Sequence, residues 1–385
     1  MKKLFAILAV VVYGGQTYGQ TYNEFKPSKT QFMLRGYGHT GFEYLDSGDE
    51  TESTFLGAAF APIFLYKHSD RLMFEAELEF ELEGDELEVG LEYADIMYVL
   101  NKNVTLRAGK FLLPFGTFME RLHPSWINRL PTRPLGFGHD GIAPSSGIGI
   151  ELRGAFDLGG PRLNYSAYAT NGPRLKDGTE EPEEAGMLMF QNYEDNNLGK
   201  AYGGRLGILP FSDSSTELGF SAYTTNSTGE ENSIYEDVGA FLFALDFSFV
   251  KQISGLGGVV DVKAQYNNSN VDTATYFELE DDIVEEYSFD NQSDSFYGQL
   301  SYRPTMAEST FMKKLEFVGR YSDFNAPEGA EWEEKSTQYA FGLNYWLSWR
   351  SVVKLSYQNT ETEGGHHSVG TTNTDGLFVQ WAIGF

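Results

Sequence analysis

The chain has 385 residues, no cysteine, 42 glycines, 30 phenylalanines, 23 tyrosines, 5 tryptophans and a formal net charge of −27. Absent cysteine excludes disulfide scaffolds and thiolate metal sites, and the negative charge excludes a nucleic-acid binder that works by neutralising phosphates. A soluble chain of this length divides into roughly two or three domains unless one closed sheet uses all of it, and abundant glycine and aromatics favour the closed sheet.

Lys2 and Lys3 precede an apolar run from Leu4 to Val12, and Thr17 and Gly19 are the small residues before a cut ahead of Gln20. Residues 1–19 therefore read as a secretory signal peptide and residues 20–30 as a periplasmic N-terminal segment. No apolar run reaches the roughly 20 residues of a spanning helix, so the mature chain is expected to cross a membrane with strands or not at all.

From residue 31 onward the pattern alternates with period two. Strands are expected near 31–45, 54–67, 71–83, 86–100, 103–112, 147–157, 161–171, 199–210, 215–225, 237–250, 258–268, 293–303, 312–323, 336–348, 351–361 and 374–385. Phe241, Phe243, Leu245, Phe247 and Phe249 fall opposite Ala240, Ala244, Asp246 and Ser248; Leu377, Val379, Trp381, Ile383 and Phe385 fall opposite Gly376, Phe378, Gln380, Ala382 and Gly384. One large apolar face and one small or polar face, in strands of about ten residues, mark a transmembrane barrel rather than a soluble sandwich. The fold expected is all-β: a single antiparallel outer-membrane barrel of about sixteen strands over residues 31–385. Turns alternate in length, with 68–70, 101–103, 157–161, 211–214 and 349–351 tight and the connections between them long and polar.

The charge follows those long connections. Residues 46–53 carry −4, 172–198 carry −5, 226–237 carry −4, 269–290 carry −8 and 324–335 carry −3, together −24 of the −27. They read as a solvated rim facing lipopolysaccharide that collects divalent cations loosely, without the glycine-spaced loop of a dedicated calcium site.

Residues 113–146 differ. They carry Arg121, Arg129 and Arg133 against Glu120 and Asp140, with His123, His139, five prolines and the aromatics Phe115, Phe118, Trp126 and Phe137. A long loop with its own apolar content packs somewhere, and the position after the fifth strand suggests the third outer loop, folded into the lumen as a constriction. Its arginines would then face the permeation path, joined by the inward-facing Arg107, Arg153 and Arg205, with Arg35, Lys263, Arg320 and Lys354 further round the wall; such rings select anions. Against this stands an acidic wall: Glu75, Glu77, Glu79, Glu81 and Glu83 alternate with apolar residues, and Glu86, Glu88 and Glu92 continue the face. On that reading the loop arginines merely pin the loop to carboxylates.

The stretch RAGKFLLPFGTFMER, from Arg107 to Arg121, resembles the signature that ends a strand and opens the third loop in the phosphate-selective porin O and P family of Gram-negative outer membranes. Gly109, Lys110, Phe111, Pro114, Phe115 and Gly116 carry the match. The resemblance implies a sixteen-stranded, commonly homotrimeric barrel in membrane lipid that passes small hydrophilic solutes and favours anions such as phosphate. It also implies that the terminal Phe385 is the signal read by the outer-membrane assembly machinery. The tyrosine- and lysine-rich phosphate pathway of the family's characterised branch is not recognisable, and the glutamate wall argues against strict phosphate selectivity.

No Gly-x-Ser-x-Gly elbow or His-Glu-x-x-His helix accompanies the six histidines, so no catalytic residue, resident metal or cofactor is expected. His366 and His367, in the last outer loop, read as polar loop residues. Three functional readings stay open: an anion-favouring porin, a general or cation-preferring porin, and a structural barrel subunit of a larger outer-membrane complex.

Overall fold

The computed structural model describes residues 30–48, 50–83, 86–139, 141–179, 181–280, 283–364 and 370–385. The signal peptide, nearly all of the segment 20–30, Asp140, Asp281, Asp282, His366 and His367 lie outside the described residues.

Sixteen antiparallel strands close into one barrel in which every sequence neighbour is also a hydrogen-bonded neighbour. They are β1 (Gln31–Asp46), β2 (Thr51–Lys67), β3 (Leu72–Glu83), β4 (Glu86–Asn101), β5 (Val104–Leu112), β6 (Ser146–Asp157), β7 (Arg162–Asn171), β8 (Lys200–Leu209), β9 (Thr216–Thr225), β10 (Ala240–Ile253), β11 (Gly258–Val271), β12 (Gln292–Arg303), β13 (Leu315–Asn325), β14 (Lys335–Ser348), β15 (Ser351–Glu363) and β16 (Thr371–Gly384). Each sequence-predicted strand is present, with ends displaced by no more than three residues. Two displacements have clear causes. The β10 strand starts late because Val238 closes a turn onto the Tyr235 carbonyl and buries its side chain. The β13 strand starts late because Thr310–Lys314 form a helical turn.

Closure joins β1 to β16, from Tyr37 opposite Gly384 to Asp46 opposite Asp375. Phe385 completes the seam: its N–H donates to the Gly36 carbonyl at 2.9 Å, its carbonyl accepts from Gly36 at 3.2 Å, and its ring stacks on Phe60. Closure matters physically because an open sheet edge would leave unpaired backbone groups in hydrocarbon.

The two strand faces separate as their chemistry requires. On β10, Ala240, Leu242, Ala244 and Asp246 are buried, while Phe241 and Leu245 are 50% and 52% exposed. On β16, Gly376, Phe378, Gln380, Ala382 and Gly384 are buried, and Leu377, Val379, Trp381 and Ile383 face outward. In water, each Å² of that apolar belt would cost about 25 cal/mol, so the surrounding medium that stabilises this arrangement is lipid. Among the described residues no helix is long and apolar enough to cross a membrane, which leaves the strands to do so.

The acidic outer connections are not simply solvated. Leu175, Ala185, Phe190, Tyr235, Val238, Tyr276, Phe289 and Ala330, drawn from four of them, share one buried cluster with wall residues Tyr168, Tyr223 and Leu242. Polar bonds stitch the same connections: Tyr235 Oη donates to Thr275 O at 2.9 Å, Asn291 Nδ2 to Gly186 O at 2.8 Å, and Trp332 Nε1 to Ala185 O at 3.0 Å. Two short hairpins, Arg174–Leu175 with Leu188–Met189 and Tyr276–Glu280 with Ile283–Tyr287, stiffen them. The four connections join β7 through β14, so the cap they form belongs to that half of the barrel.

Segment 113–145 reaches buried side chains on strands spread around the wall, a set that only a path through the interior connects. Gly116 N–H donates to Ser221 Oγ on β9 at 3.0 Å, and Thr117 and Phe118 N–H donate to Gln265 Oε1 on β11. Arg320 on β13 donates to the Thr132 and Arg133 carbonyls, Asn344 on β14 to the Arg129 carbonyl, and Lys354 on β15 to the Ser125 carbonyl. Apolar contacts follow the same wall: Phe118 and Phe137 pack on Tyr297, Leu130 on Val318 and Ala340, and Trp126 against Trp346 and Val352. Gly116 is required at the loop's entry, since its φ is +62° and a Cβ there would lie 2.0 Å from Gln265. The segment leans on the β9–β16 side and leaves space along the other.

Candidate functional site

Two cavities lie in that space. The larger, about 720 Å³, lies toward the long connections and is lined by Tyr37, His39, Glu43, Glu79, Glu81, Glu88, Glu92, Lys110, His123, Arg133 and His139, among others. The smaller, about 380 Å³, lies toward the short turns and is lined by Met73, Met97, Thr105, Glu120, Arg121, Arg153, Asn164 and Arg205, among others. Strands β3, β4 and β5 contribute to both, so a single wall runs past the loop from one to the other.

Period-two alternation aims the β3 carboxylates inward, and antiparallel pairing sets them beside those of β4: Glu81 faces Glu88, and Glu75 faces Asp95. A register shift between Glu77 and Leu78 makes Glu92 an extra residue, pushed into the interior, and changes the inward parity of β4 to Asp95 and Met97. At this level the wall and the loop meet. Tyr37 Oη donates to Glu77 Oε1 at 2.8 Å and lies 3.4 Å from His123 Nε2, which is 4.0 Å from Glu92; His139 Nε2 is 3.0 Å from Glu92 Oε1. Burial pushes the His123 imidazole down to about 4, leaving it neutral at pH 7.

The arginines singled out from the sequence come together in a different way from the carboxylates. Arg107 Nε meets Glu151 Oε2 at 2.7 Å, and Arg153 Nη2 meets Glu120 Oε1 at 2.7 Å. Arg121 Nη1 meets Glu217 Oε2 at 3.0 Å, Arg129 Nε meets Glu316 Oε1 at 3.1 Å, and Arg205 Nη2 meets both Asp246 and Glu217. Burial raises the Glu120 carboxyl, but Arg153, Arg121 and Arg107 outweigh it and hold it below the usual carboxylate range. Arg133 is exposed and, alone of the six, forms no ion pair among the described residues.

Of the other cations read as lumen-facing, Arg320 and Lys354 are buried loop anchors rather than ligand-facing groups, Lys263 pairs with Asp261 at 2.5 Å, and Arg35 is exposed beside Met33. The signature residues hold the loop's base. Phe111 and Phe115 are buried in the large cluster, Arg107 lies over the Phe111 ring, and Lys110 donates to the Leu91 carbonyl and to Tyr193 Oη.

Sequence reading passed over Tyr37, Asp95, Glu151, Glu217, Asp261 and Glu316, which form much of this network. Their inward parity was available in the sequence, but nothing in it distinguishes a carboxylate that meets an arginine from one that meets water.

No protein-family model and no curated protein matches the chain. Solved structures similar to it include an anion-selective porin from Comamonas acidovorans, at 13% identity and a TM-score of 0.59 over 93% of this chain and 100% of that one. The outer membrane channel DcaP of Acinetobacter baumannii is similar at 12% and 0.57, over 93% and 99%. Salmonella typhi OmpF in complex with daunomycin is similar at 11% and 0.55, over 91% and 97%. At these identities the likeness is one of architecture: the chain has the sixteen-stranded barrel fold of outer-membrane porins.

Proposed function

We propose that the protein is a passive diffusion channel of a Gram-negative outer membrane, one that passes small hydrophilic solutes and prefers cations. The observation that carries this reading is the continuous wall of β3, β4 and β5 between the two cavities. Its carboxylates Glu79, Glu81, Glu88 and Glu92 line the larger cavity, whereas five of the six candidate arginines are already neutralised by Glu151, Glu120, Glu217, Glu316 and Asp246. A row of acidic side chains in a water-filled passage raises the local concentration of cations and lowers that of anions.

A second reading, anion preference extending to phosphate, is favoured by Arg121 and Arg153, whose side chains remain 39% and 33% exposed beside the smaller cavity. The outer-membrane location, the role of Phe385 as an assembly signal, contact with lipopolysaccharide and a homotrimeric state belong to the same proposal. They rest on the apolar belt, on the pinned C-terminus and on the resemblance at residues 107–121.

The test is ion current through the purified protein in planar bilayers, together with swelling of proteoliposomes in small neutral sugars. Stepwise conductance and swelling are expected. A barrel that inserts and neither conducts nor swells the vesicles would remove the channel reading in favour of a structural subunit.

A further inference from the structure

We propose that Glu79, Glu92 and His139 form a binding site for a divalent first-row transition-metal cation, which clamps the third loop to the acidic wall. The three residues come from β3, β4 and the loop, and one ligand atom from each lies within 4.8 Å of the other two. They are gathered by tertiary structure and do not form a local run of acids. Tetrahedral ligation at zinc distances needs ligand atoms about 3.3 Å apart, a movement that side-chain rotation alone supplies.

The donor set also has a preformed core. Glu92 is only 6% exposed, and its Oε1 makes an ion-pair contact with His139 Nε2 at 3.0 Å, with His123 Nε2 at 4.0 Å, so a buried carboxylate is already aimed at the imidazole that a cation would share. The Gln191 amide lies 3.4 Å from His139 Nδ1. The amide atom at that distance is Nε2; exchange of the amide's oxygen and nitrogen on metal binding would bring Oε1 to Nδ1–H and hold the imidazole in the tautomer that offers Nε2 to a cation, the outer-shell arrangement usual for metal-binding histidines. One imidazole with two carboxylates suits zinc-like cations better than calcium or magnesium, which prefer all-oxygen shells.

Binding would cancel two wall charges and tie His139 to β3 and β4 where the wall and the loop meet. The site stands on its own geometry; its effect on current rests on the channel reading. The experiment is titration of Zn2+ into the detergent-solubilised barrel carrying His366→Ala and His367→Ala, which removes the other adjacent histidines. His139→Ala and Glu79→Gln are compared in that background, with the heat-shifted electrophoretic mobility of a folded barrel as a control.

One Zn2+ per chain is expected, with affinity weakened about a hundredfold or more in either variant and with Ca2+ and Mg2+ failing to compete. Zinc binding that survives both variants in folded protein, or that disappears with His366 and His367, overturns the site. In bilayers, Zn2+ is expected to reduce conductance in the His366/His367 background and not in His139→Ala. Zinc bound stoichiometrically with unchanged current overturns the clamp while leaving the site.

Discussion

Arg205 on β8 and Asp246 on β10 meet at two points across the intervening strand, Nε to Oδ2 at 2.9 Å and Nη2 to Oδ1 at 2.6 Å. The strand between them leaves room through Gly219, where a Cβ would lie 2.1 Å from Asp246 Oδ2 and 2.4 Å from Arg205 Nη2. Both side chains are almost fully buried, so the pair is a brace of the wall. Arg205→Ala strands the Asp246 carboxylate and is expected to cost about 3–5 kcal/mol of barrel stability. Gly219→Val breaks the same contact sterically. Denaturant unfolding in detergent checks both, and unchanged stability in either would contradict the brace.

Lys354 performs a comparable task for the loop. Its buried ammonium donates to the Ser125 carbonyl at 2.5 Å and to Gln380 Oε1 at 2.7 Å. Lys354→Met keeps most of the volume and leaves those acceptors bare, at about 1–3 kcal/mol each. Loosened on one side, the loop is expected to give noisier single-channel current and faster proteolysis within 113–145, measured by limited digestion of the folded barrel.

Acid sensitivity follows from Glu120. Its carboxyl is held below the usual range by Arg153, Arg121 and Arg107 against the opposing effect of burial, so its contribution to stability is present above the usual carboxylate range and lost as pH falls below it. In Arg153→Met the largest opposing charge is gone and burial weighs more, so the variant is expected to lose stability at neutral pH, and acid no longer removes a favourable contribution from this group. The fall in stability between neutral and acidic pH is expected to be smaller in that variant than in the wild type; an equal or larger fall would contradict this.

Arg133 lies in the larger cavity and is the loop arginine with no ion pair among the described residues. Arg133→Ala is expected to increase cation preference with little change in stability, because no ion pair among the described residues is broken. Arg129→Ala is expected to do the reverse: it frees Glu316, destabilises the loop and leaves selectivity nearly unchanged. Reversal potentials and unfolding curves of the two variants separate these outcomes.

The strands were legible because period two writes inward and outward residues alternately, as Phe241 to Phe249 show against Ala240 to Ser248. The charge partners were not. Arg129 and Glu316 are distant in sequence and meet only because the loop crosses the lumen, and parity states that both face inward without stating that they touch. The shift at Glu77 and Leu78 hid more: counting on from Glu88 and Glu92 makes Ile96 an inward residue, yet it is 53% exposed on the outside while Asp95 is buried. The cap was hidden for a different reason, since the acidic count of 269–290 obscured Tyr276 and Phe289, whose rings stack at 5.3 Å.

The most direct measurement is the reversal potential in planar bilayers under a KCl gradient, for the wild type, for Glu79→Gln/Glu81→Gln/Glu88→Gln, and for Arg121→Ala/Arg129→Ala. A cation-selective wild type, with selectivity lost in the glutamine variant and retained in the alanine variant, is the predicted result. An anion-selective wild type whose preference disappears with Arg121 and Arg129 would contradict the acidic route and make those arginines the selectivity element.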